Sequence, residues 1–313
     1  MLVNGLLIYL KRLIKGKKLE HNPNMLIIDT TILCNNSCYF CWRSQKLDRL
    51  KEVNKIYKDN PMISFDLYKK IIDDACQYKS IKWLALCGPM GESMMHKEIE
   101  KLTMYAYKKN HFSKISVNTN GLAIDKHDIS MLMNSVQDFS ISVDSIDPET
   151  YGKIHGSPDF LPKVIDNIKK CVEYKKQNGA VSTITVRFTE NELNMGQYPE
   201  FKKFFEELGV DEINYTKVHS FAGVKSELAS RSGALKCCQP KNVVNFTFDG
   251  ELTTCCINWQ MEPKFGNIKE LPLRKLWMND KMKSWLKNRL SQEPCKNCNG
   301  LGIHVQKKGL KHG

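Results

Sequence analysis

Three cysteines near the start of the chain have a spacing that suits metal chemistry. Cys34, Cys38 and Cys41 are separated by three and then two residues, and they directly follow an apolar run. Three thiolates on one loop can hold three irons of a 4Fe-4S cluster and leave the fourth iron without a protein ligand. Such an iron is open to a substrate or a cofactor. The alternatives are a zinc site that lacks one ligand and a set of buried thiols without metal.

A second set of cysteines lies near the end of the chain. Its members are Cys237 before a predicted β-hairpin, Cys255 after its second strand, and Cys295 and Cys298 after a predicted helix. Four thiolates brought together in this way complete a closed site for a 4Fe-4S cluster or for zinc. Cys238 and Cys256 leave the register ambiguous by one residue. The remaining cysteines are predicted to be core thiols: Cys76, Cys87 and Cys171.

Short apolar runs alternate with helical periodicity over residues 25–220. The runs predict strands at Leu26–Leu33, Ile81–Leu86, Ile115–Val117, Phe139–Val143, Ile184–Phe188 and Ile213–Val218. Helices are predicted between them, at Phe65–Cys76 with Ser64 as N-cap, Ile99–Tyr107, Ile129–Met133, Val164–Tyr174 and Phe201–Leu208. Six strands separated by helices predict an α/β fold with a parallel sheet, either open or curled into a partial barrel. Ligands bind such sheets at the carboxyl ends of the strands.

The alternating pattern ends after Val218. Val243–Thr254 predicts a β-hairpin with a type I′ turn at Asp249-Gly250, and Leu273–Leu290 predicts a single helix. The charged segment Gln45–Asn60 is predicted to be a long loop, either a lid or solvated. We therefore divide the chain into a basic amphipathic helix (1–24), an α/β core (25–220) and a small cysteine-rich module (221–313).

Composition and the N-terminus indicate the compartment. The chain has 313 residues, 42% of them hydrophobic and 26% charged, which excludes disordered, collagenous and coiled-coil classes. Met1–Leu10 lacks the features of a signal peptide, and no apolar run approaches the ~18 residues of a membrane span. We therefore expect a cytoplasmic protein, in which clustered thiols bind metal more often than they form disulfides.

The net charge of +13 is concentrated at the two ends of the chain. The first 20 residues and the last nine supply seven of these charges, so we expect no nucleic-acid partner. The N-terminal helix carries Lys11, Lys15 and Lys18 on one face. It either makes weak contact with an anionic membrane surface or packs on the domain with its lysines solvated.

Several motifs at successive strand ends resemble those of the radical S-adenosylmethionine (SAM) superfamily. The resemblance includes the three cysteines with Phe40 before the last, the Gly91-Glu92 pair after the second strand, Asn118-Thr119-Asn120-Gly121 after the third, and Ser140–Asp144 on the fourth. Ser93 stands where the family often has proline. His155 stands where an arginine is frequent, and we assign it no role.

This resemblance implies a partial (β/α)6 barrel and a set of cofactor-binding residues. These are Phe40, Gly91, Glu92, Asn118, Ser142 and Asp144 around SAM, with a 4Fe-4S cluster on Cys34, Cys38 and Cys41. It further implies that the reduced cluster passes one electron to SAM, which gives methionine and a 5′-deoxyadenosyl radical that abstracts hydrogen from a substrate. An external donor such as flavodoxin or ferredoxin would supply the electron.

The C-terminal region is similar to the "twitch" form of the SPASM extension. The similar segments are Cys237–Pro240, Phe248-Asp249-Gly250, Gly266-Asn267-Ile268, Leu276-Trp277 and Pro294–Cys298. The similarity implies an auxiliary 4Fe-4S cluster on Cys237, Cys255, Cys295 and Cys298. A cluster with four thiolates has no open iron, so an electron-relay role follows. In the twitch-type aminocyclitol dehydrogenases, such a relay serves the oxidation of an alcohol to a ketone.

Three functions are therefore compared. The leading hypothesis is an oxidoreductase that acts on a sugar-like or aminocyclitol alcohol, and the second is a maturase of a ribosomally made peptide. A non-enzymatic zinc module that binds RNA is the third. Arg187, near the end of the fifth strand, is the candidate catalytic residue. Weaker candidates follow on strand six: Tyr215, Lys217 and His219.

Overall fold

The computed structural model of the chain describes residues 22–45, 48–228 and 231–300. The N-terminal helix predicted over residues 1–24 lies outside the described residues, except for residues 22–24, which belong to no helix or strand. None of the helices in the described ranges is long and apolar enough to cross a membrane.

Eight strands form one sheet at the centre of the fold. They are β1 (Met25–Ile28), β2 (Trp83–Leu86), β3 (Lys114–Thr119), β4 (Asp138–Ser142), β5 (Thr183–Glu190), β6 (Glu212–Lys217), β7 (Val243–Phe246) and β8 (Leu252–Thr253). Their order is β6-β5-β4-β3-β2-β1-β7-β8, and every neighbouring pair is parallel except β7 and β8. The sheet is not closed, which confirms the α/β class and the partial barrel.

Helices cover one face of the sheet. Those of the core are α1 (Asp48–Ile56), α2 (Phe65–Ala75), α3 (Ile99–Lys108), α4 (Ile129–Ser135), α5 (Pro148–His155), α6 (Phe160–Asn178) and α7 (Tyr198–Leu208). Four short helices follow: α8 (Arg231–Lys236), α9 (Gln239–Asn242), α10 (Leu273–Leu276) and α11 (Asp280–Asn288). As predicted, Ser64 caps α2, where its hydroxyl accepts a hydrogen bond from the Leu67 amide at 3.3 Å.

The two faces of the sheet differ in polarity. Side chains alternate across a strand, so Leu26 and Ile28 join the main apolar core beneath the helices, while Met25 and Ile27 lie on the opposite, inner face. There the apolar side chains form only a small cluster with Ala85 and Val243. The inner face of the partial barrel is therefore left largely to polar residues.

Three local predictions differ from the structure, and one helix was not predicted. The segment Gln45–Asn60, predicted as a long loop, contains α1. The helix packs on the core through Val53, whose side chain is fully buried. Helix α5 was not predicted. The helix predicted at Leu273–Leu290 is divided in two at Met278, which has a left-handed backbone (φ +55°), and Asn279 caps the second part. In the hairpin turn only Gly250 has positive φ (+91°), so the turn is not type I′.

Candidate active site

The first three cysteines lie on a loop directly after β1. Arg43 fastens this loop, because its Nη1 donates to the carbonyls of Ile32 (2.8 Å) and Met90 (2.9 Å). The Ser44 hydroxyl lies 2.7 Å from the carbonyl oxygens of both Cys38 and Cys41, which share its single hydrogen. These bonds turn the loop back on itself.

The chemistry of these three thiols fits an iron–sulfur cluster. Burial raises the pKa of Cys34 to about 11 and also raises that of Cys38, where the neighbouring Cys41 and Cys34 act in the same direction. The thiols are therefore near enough to influence one another. Among the described residues, no three Cys, His, Asp or Glu side chains converge closely enough to hold a single metal ion. A cluster is larger than one ion, so its ligands need not converge on a single point.

Gly91 and Glu92 bring the loop after β2 against the cysteine loop. A Cβ at Gly91 would lie 2.3 Å from the Thr31 carbonyl oxygen and 2.6 Å from that of Leu33, so only glycine permits this approach. The Glu92 amide donates to Leu33 O at 2.8 Å. Burial raises the pKa of Glu92, and its carboxylate accepts from the amides of Met94 (3.0 Å) and Asn120 (2.8 Å). Glu92 thus braces two loops in this structure.

The segment after β3 joins the same network. The Asn120 side chain donates to Asn35 Oδ1 at 2.8 Å, which connects this segment to the cysteine loop. Asn118 lies on β3, paired with Ser140, and its side chain is half-buried on the inner face. The loops that carry three of the sequence motifs are therefore held together by hydrogen bonds.

Strand β4 places two further predicted residues. Ser142 is half-buried and pairs with Arg187 on β5. Asp144 is almost fully buried, in a left-handed backbone (φ +63°), and its Oδ1 accepts from the Thr189 amide at 2.6 Å. Its Oδ2 lies 3.2 Å from His155 Nε2, and His155 Nδ1 lies 3.2 Å from Cys38 Sγ. The Asp144 carboxylate is thus turned toward the cysteine loop.

Two aromatic contacts join the cysteine loop to the C-terminal region. Phe40 stacks on Phe221 with ring centroids 5.8 Å apart, and Trp42 stacks on Trp259 at 5.5 Å. The Trp42 indole also donates to the Pro89 carbonyl. The aromatic residue expected at the cofactor is therefore also part of an interface within the chain.

The second cysteine set is gathered in the C-terminal region. Burial raises the pKa of Cys255 and of Cys295 to about 12, and the thiols of Cys298 and Cys237 also act on Cys295. Burial also raises the pKa of Cys256, and the thiols of Cys87, Cys255 and Cys237 and the carboxyl group of Asp29 act in the same direction. The choice of Cys237 and Cys255 over Cys238 and Cys256 as ligands therefore stays a prediction.

The inner face holds a polar group that the sequence analysis did not identify. Asp29 continues the inward alternation of β1. Burial raises the pKa of the Cys87 thiol to about 12, and of the two nearby charges Asp29 raises it while Arg187 lowers it. Cys87 therefore lies beside the inner face, although it was predicted to be an ordinary core thiol. Gly88 packs against Asp29 so closely that a Cβ would overlap Oδ1. Asn245 on β7 lies beside Ile27 of β1.

Several of these inner-face atoms have no protein partner. Within the described ranges, Asp29 Oδ1, Arg187 Nε and both amide atoms of Asn245 are buried and accept or donate no hydrogen bond. A single sequence does not show which polar residues of a strand face the inner side of the sheet. Asp29 and Asn245 therefore could not be identified as inner-face residues from the sequence.

The weaker candidates on strand six are placed differently. Tyr215 and Lys217 are exposed, and both contact Glu190. His219 lies at the second cysteine set, with Nε2 3.9 Å from Cys298 Sγ. Its Nδ1 accepts from the Phe221 amide at 3.0 Å, and burial lowers its pKa to about 4. Its Nε2–H therefore faces the Cys298 sulfur.

Known proteins are similar to this chain in sequence and in fold. The profile of the Radical SAM superfamily matches residues 28–198, and that of SPASM, an iron-sulfur cluster-binding domain, matches residues 237–299. A probable GTP 3′,8-cyclase of Methanococcus maripaludis is 22% identical over 182 residues, which are 58% of this chain and 55% of the relative. The chain thus spans about half the length of that curated relative.

Solved structures establish the same fold. A crystal structure of BtrN in complex with AdoMet and 2-DOIA has a TM-score of 0.58 and 16% identity, over 92% of this chain and 97% of BtrN. Streptococcus suis SuiB bound to precursor peptide SuiA has a TM-score of 0.65 and 16% identity, over 90% of this chain and 71% of SuiB.

The chain therefore belongs to the radical SAM superfamily. Within that class it is an enzyme that carries a SPASM iron–sulfur domain, as predicted. Its cofactors are SAM and 4Fe-4S clusters, and cysteines are present in both matched regions.

Proposed function

We propose that this enzyme oxidises an alcohol group of a small, sugar-like molecule held at the inner face of the partial barrel. The observation that carries the proposal is the set of buried polar atoms without a protein partner on Asp29, Arg187 and Asn245. Each such atom costs about 1–3 kcal/mol when it stays unpaired. A ligand rich in hydroxyl groups offers donors and acceptors to all three residues.

The two cysteine sets have different roles in this proposal. Cys34, Cys38 and Cys41 would hold the SAM-binding cluster, while Cys237, Cys255, Cys295 and Cys298 would hold the auxiliary one. When bound, these groups supply the electron that cleaves SAM to a 5′-deoxyadenosyl radical and an acceptor for one electron of the substrate. We propose the same division for the chain, with residues 25–220 as the radical core and 221–313 as the auxiliary region. Flavodoxin or ferredoxin would serve as the external donor.

The chain's own residues must bind the substrate and move one proton. Oxidation of an alcohol to a ketone removes a hydrogen atom from carbon, a proton from oxygen and one electron. Asp29 is suited to accept the proton, because burial and then the charge of Asp249 raise its pKa well above the ordinary value. Asp138, which begins β4, is a second carboxylate near this face, but it is paired with Lys114 at 2.7 Å. Arg187 and Asn245 would orient the hydroxyl groups.

The comparisons support this choice in one respect. The chain matches BtrN, crystallised with AdoMet and 2-DOIA, over nearly the full length of both proteins.

Product analysis of the anaerobically reconstituted enzyme tests the proposal. Incubated with SAM, a reductant and a panel of aminocyclitols and polyols, it should form 5′-deoxyadenosine and a product lighter by two hydrogens. Cys38→Ala should form neither compound. Cys295→Ala should still form 5′-deoxyadenosine but little ketone. Failure of the cluster-loaded enzyme to release 5′-deoxyadenosine would contradict the proposal, and two zinc ions in place of about eight irons would favour the RNA-binding alternative.

Peptide modification is the second candidate. It is favoured by the likeness to SuiB bound to its precursor peptide, which has a TM-score of 0.65. Deuterium transfer into 5′-deoxyadenosine from a labelled peptide, and not from a labelled polyol, would select this candidate.

A further inference from the structure

Arg187 places a permanent positive charge on the inner face of the sheet. Its neighbours on β5, Val186 and Phe188, are fully buried in the apolar core, so alternation along the strand turns Arg187 the other way. Burial and the charge of Asp29 raise the pKa of the Cys87 thiol on β2, while the guanidinium of Arg187 lowers it. Because β3 and β4 lie between β2 and β5, the arginine side chain extends across the inner face.

The guanidinium group has no partner within the described part of the chain. Arginine carries several N–H donors and keeps its charge in proteins. Here Nε is buried without an acceptor, and no side chain of the described residues forms an ion pair or a hydrogen bond with the group. A charge enclosed by protein destabilises the fold unless an opposite charge and hydrogen bonds compensate it. An anion bound at the inner face would supply both.

The carboxylates of the surrounding strands do not compensate this charge. Those on β4 and β5 and directly after β4 have nearer partners of their own: Asp138 with Lys114 at 2.7 Å, Asp144 with the Thr189 amide at 2.6 Å, and Glu190 with the Tyr215 hydroxyl. Asp29 acts on the same thiol as Arg187, yet the two side chains form no ion pair with each other. They therefore face a common space from two sides.

Neutral hydrogen-bonding side chains flank Arg187 on both neighbouring strands. The strand register places Ser142 of β4 and Asn214 of β6 beside it on the same face. Both are half-buried, and neither side chain forms a hydrogen bond with another described residue. A hydroxyl and an amide can donate to the same group as the guanidinium. One positive charge between neutral donors suits a carboxylate or a phosphate group.

We propose that the substrate is an acid, and that Arg187 binds its carboxylate or phosphate group while the alcohol to be oxidised lies toward Asp29. This inference rests on the proposed function and narrows it to sugar acids and sugar phosphates. A planar guanidinium pairs with either anion through parallel hydrogen bonds, so it also orients the hydroxyl groups that the anion carries with it. Ammonium groups meet a like charge at the same place and are disfavoured.

Equilibrium binding to the anaerobically reconstituted enzyme with SAM bound tests the inference. The probes are glucuronate and glucose 6-phosphate as anions, glucose as the neutral counterpart and glucosamine as the cationic one. At least one anion should bind more tightly than glucose, and glucosamine more weakly. Arg187→Gln should weaken binding of that anion about 100-fold, as when one partner of an enclosed charge pair is removed, and leave binding of glucose nearly unchanged. The affinity for SAM should stay at the wild-type value.

Arg274→Gln is the matched control, because it removes the same charge from an exposed position on α10. It should bind the anions as the wild type does. Anion binding that Arg187→Gln leaves unchanged would overturn the inference. So would a wild-type enzyme that binds glucose as tightly as either anion, a comparison that needs no variant.

The affinity for SAM distinguishes the two sources of a carboxylate. If Arg187→Gln lost as much affinity for SAM as for the anionic probe, the arginine would hold the carboxylate of SAM itself, and the inference about the substrate would be wrong. None of these outcomes depends on product formation. The inference can therefore fail while the proposed function, which is tested by 5′-deoxyadenosine and ketone, stands.

Discussion

Asp29 is a carboxyl group in a place that disfavours its charge. Burial, and after it the charge of Asp249, raise its pKa well above the ordinary value. The folded state therefore binds this proton more tightly than the unfolded state does. The resulting loss of stability sets in as the pH rises from the unfolded pKa toward the folded one, and it is complete above the folded pKa. Carboxyl groups with strongly perturbed pKa values cluster at functional sites.

We predict that Asp29→Asn stabilises the enzyme and inactivates it. At pH 8 the free energy of unfolding of Asp29→Asn should exceed that of the wild type, and the gain should vanish below about pH 4, where Asp29 is protonated in both the folded and the unfolded state. Ketone formation should fall about 100-fold or more if Asp29 takes up the proton. Urea titrations of the anaerobic holoenzyme at several pH values measure the first effect, and product assays the second.

The control for this prediction is Asp73→Asn. Burial alone would raise the pKa of Asp73. Hydrogen bonds from Lys109 and Tyr105 together have a larger effect, and they lower the pKa. Its removal should therefore reduce stability at high pH, the opposite sign, and leave ketone formation intact. Equal product yields from Asp29→Asn and the wild type would exclude Asp29 as the proton acceptor.

At the scale of elements, the close approach of two loops determines the geometry of the cluster site. Gly91→Ala would place a Cβ against the carbonyls of Thr31 and Leu33, both of which are backbone atoms that cannot rotate away. We predict a loss of about 1–3 kcal/mol in unfolding free energy, as for other overpacked sites, and a lower iron content. Iron analysis and urea titration measure both effects.

Gly196→Ala is the control for this substitution. Gly196 has positive φ (+84°), but nothing lies within 4 Å of the position that a Cβ would take there. It should cost about 1–2 kcal/mol of backbone strain and keep full iron content. Equal iron content in the two variants would show that the approach at Gly91 does not hold the cysteine loop.

Much of the secondary structure could be predicted from the sequence, because it depends on local signals. Six strands and five helices follow from apolar periodicity, and the cysteine sets follow from spacing. Helix α5 was missed, although Asp147 and Pro148 begin it as N-cap and first residue and Gly156 ends it in a left-handed conformation (φ +103°). Because that helix carries His155, the contact with Cys38 was missed as well.

Long-range pairing could not be predicted from local signals. The hairpin was expected in a separate module, but β7 pairs in parallel with β1, so that Val243 lies beside Met25. Nothing near Val243 in the sequence specifies that partner. The inward positions of Asp29 and Asn245 depend on the same pairing, which is why the polar inner face was recognised only in the structure.

At the scale of the whole molecule, the two cysteine sets are mechanically connected. Trp259 belongs to the C-terminal region, yet it stacks on Trp42 of the cysteine loop. We predict that Trp259→Ala lowers the unfolding free energy by about 3–5 kcal/mol and reduces the occupancy of the SAM-binding cluster, although no ligand is changed. Iron content and the EPR signal that responds to SAM measure the occupancy.

Trp285→Ala separates this coupling from a general loss of stability. Trp285 is buried in the same C-terminal region, where it packs against Phe265 at 5.8 Å and not against the cysteine loop. Trp285→Ala should lower the unfolding free energy by a similar amount to Trp259→Ala. The EPR signal that responds to SAM should be retained. If both variants lose that signal equally, the stacking of Trp42 on Trp259 has no special role.

The position of β1 between β2 and β7 has a consequence for synthesis on the ribosome. Met25 pairs with Trp83 on one side and with Val243 on the other. At ~5–20 residues per second, the nascent chain waits roughly 10–40 s for its second neighbour after β1 has been made. During that interval an apolar strand presents an open edge to other chains. Expression at a slower growth rate with abundant chaperones should therefore favour the native enzyme over aggregates.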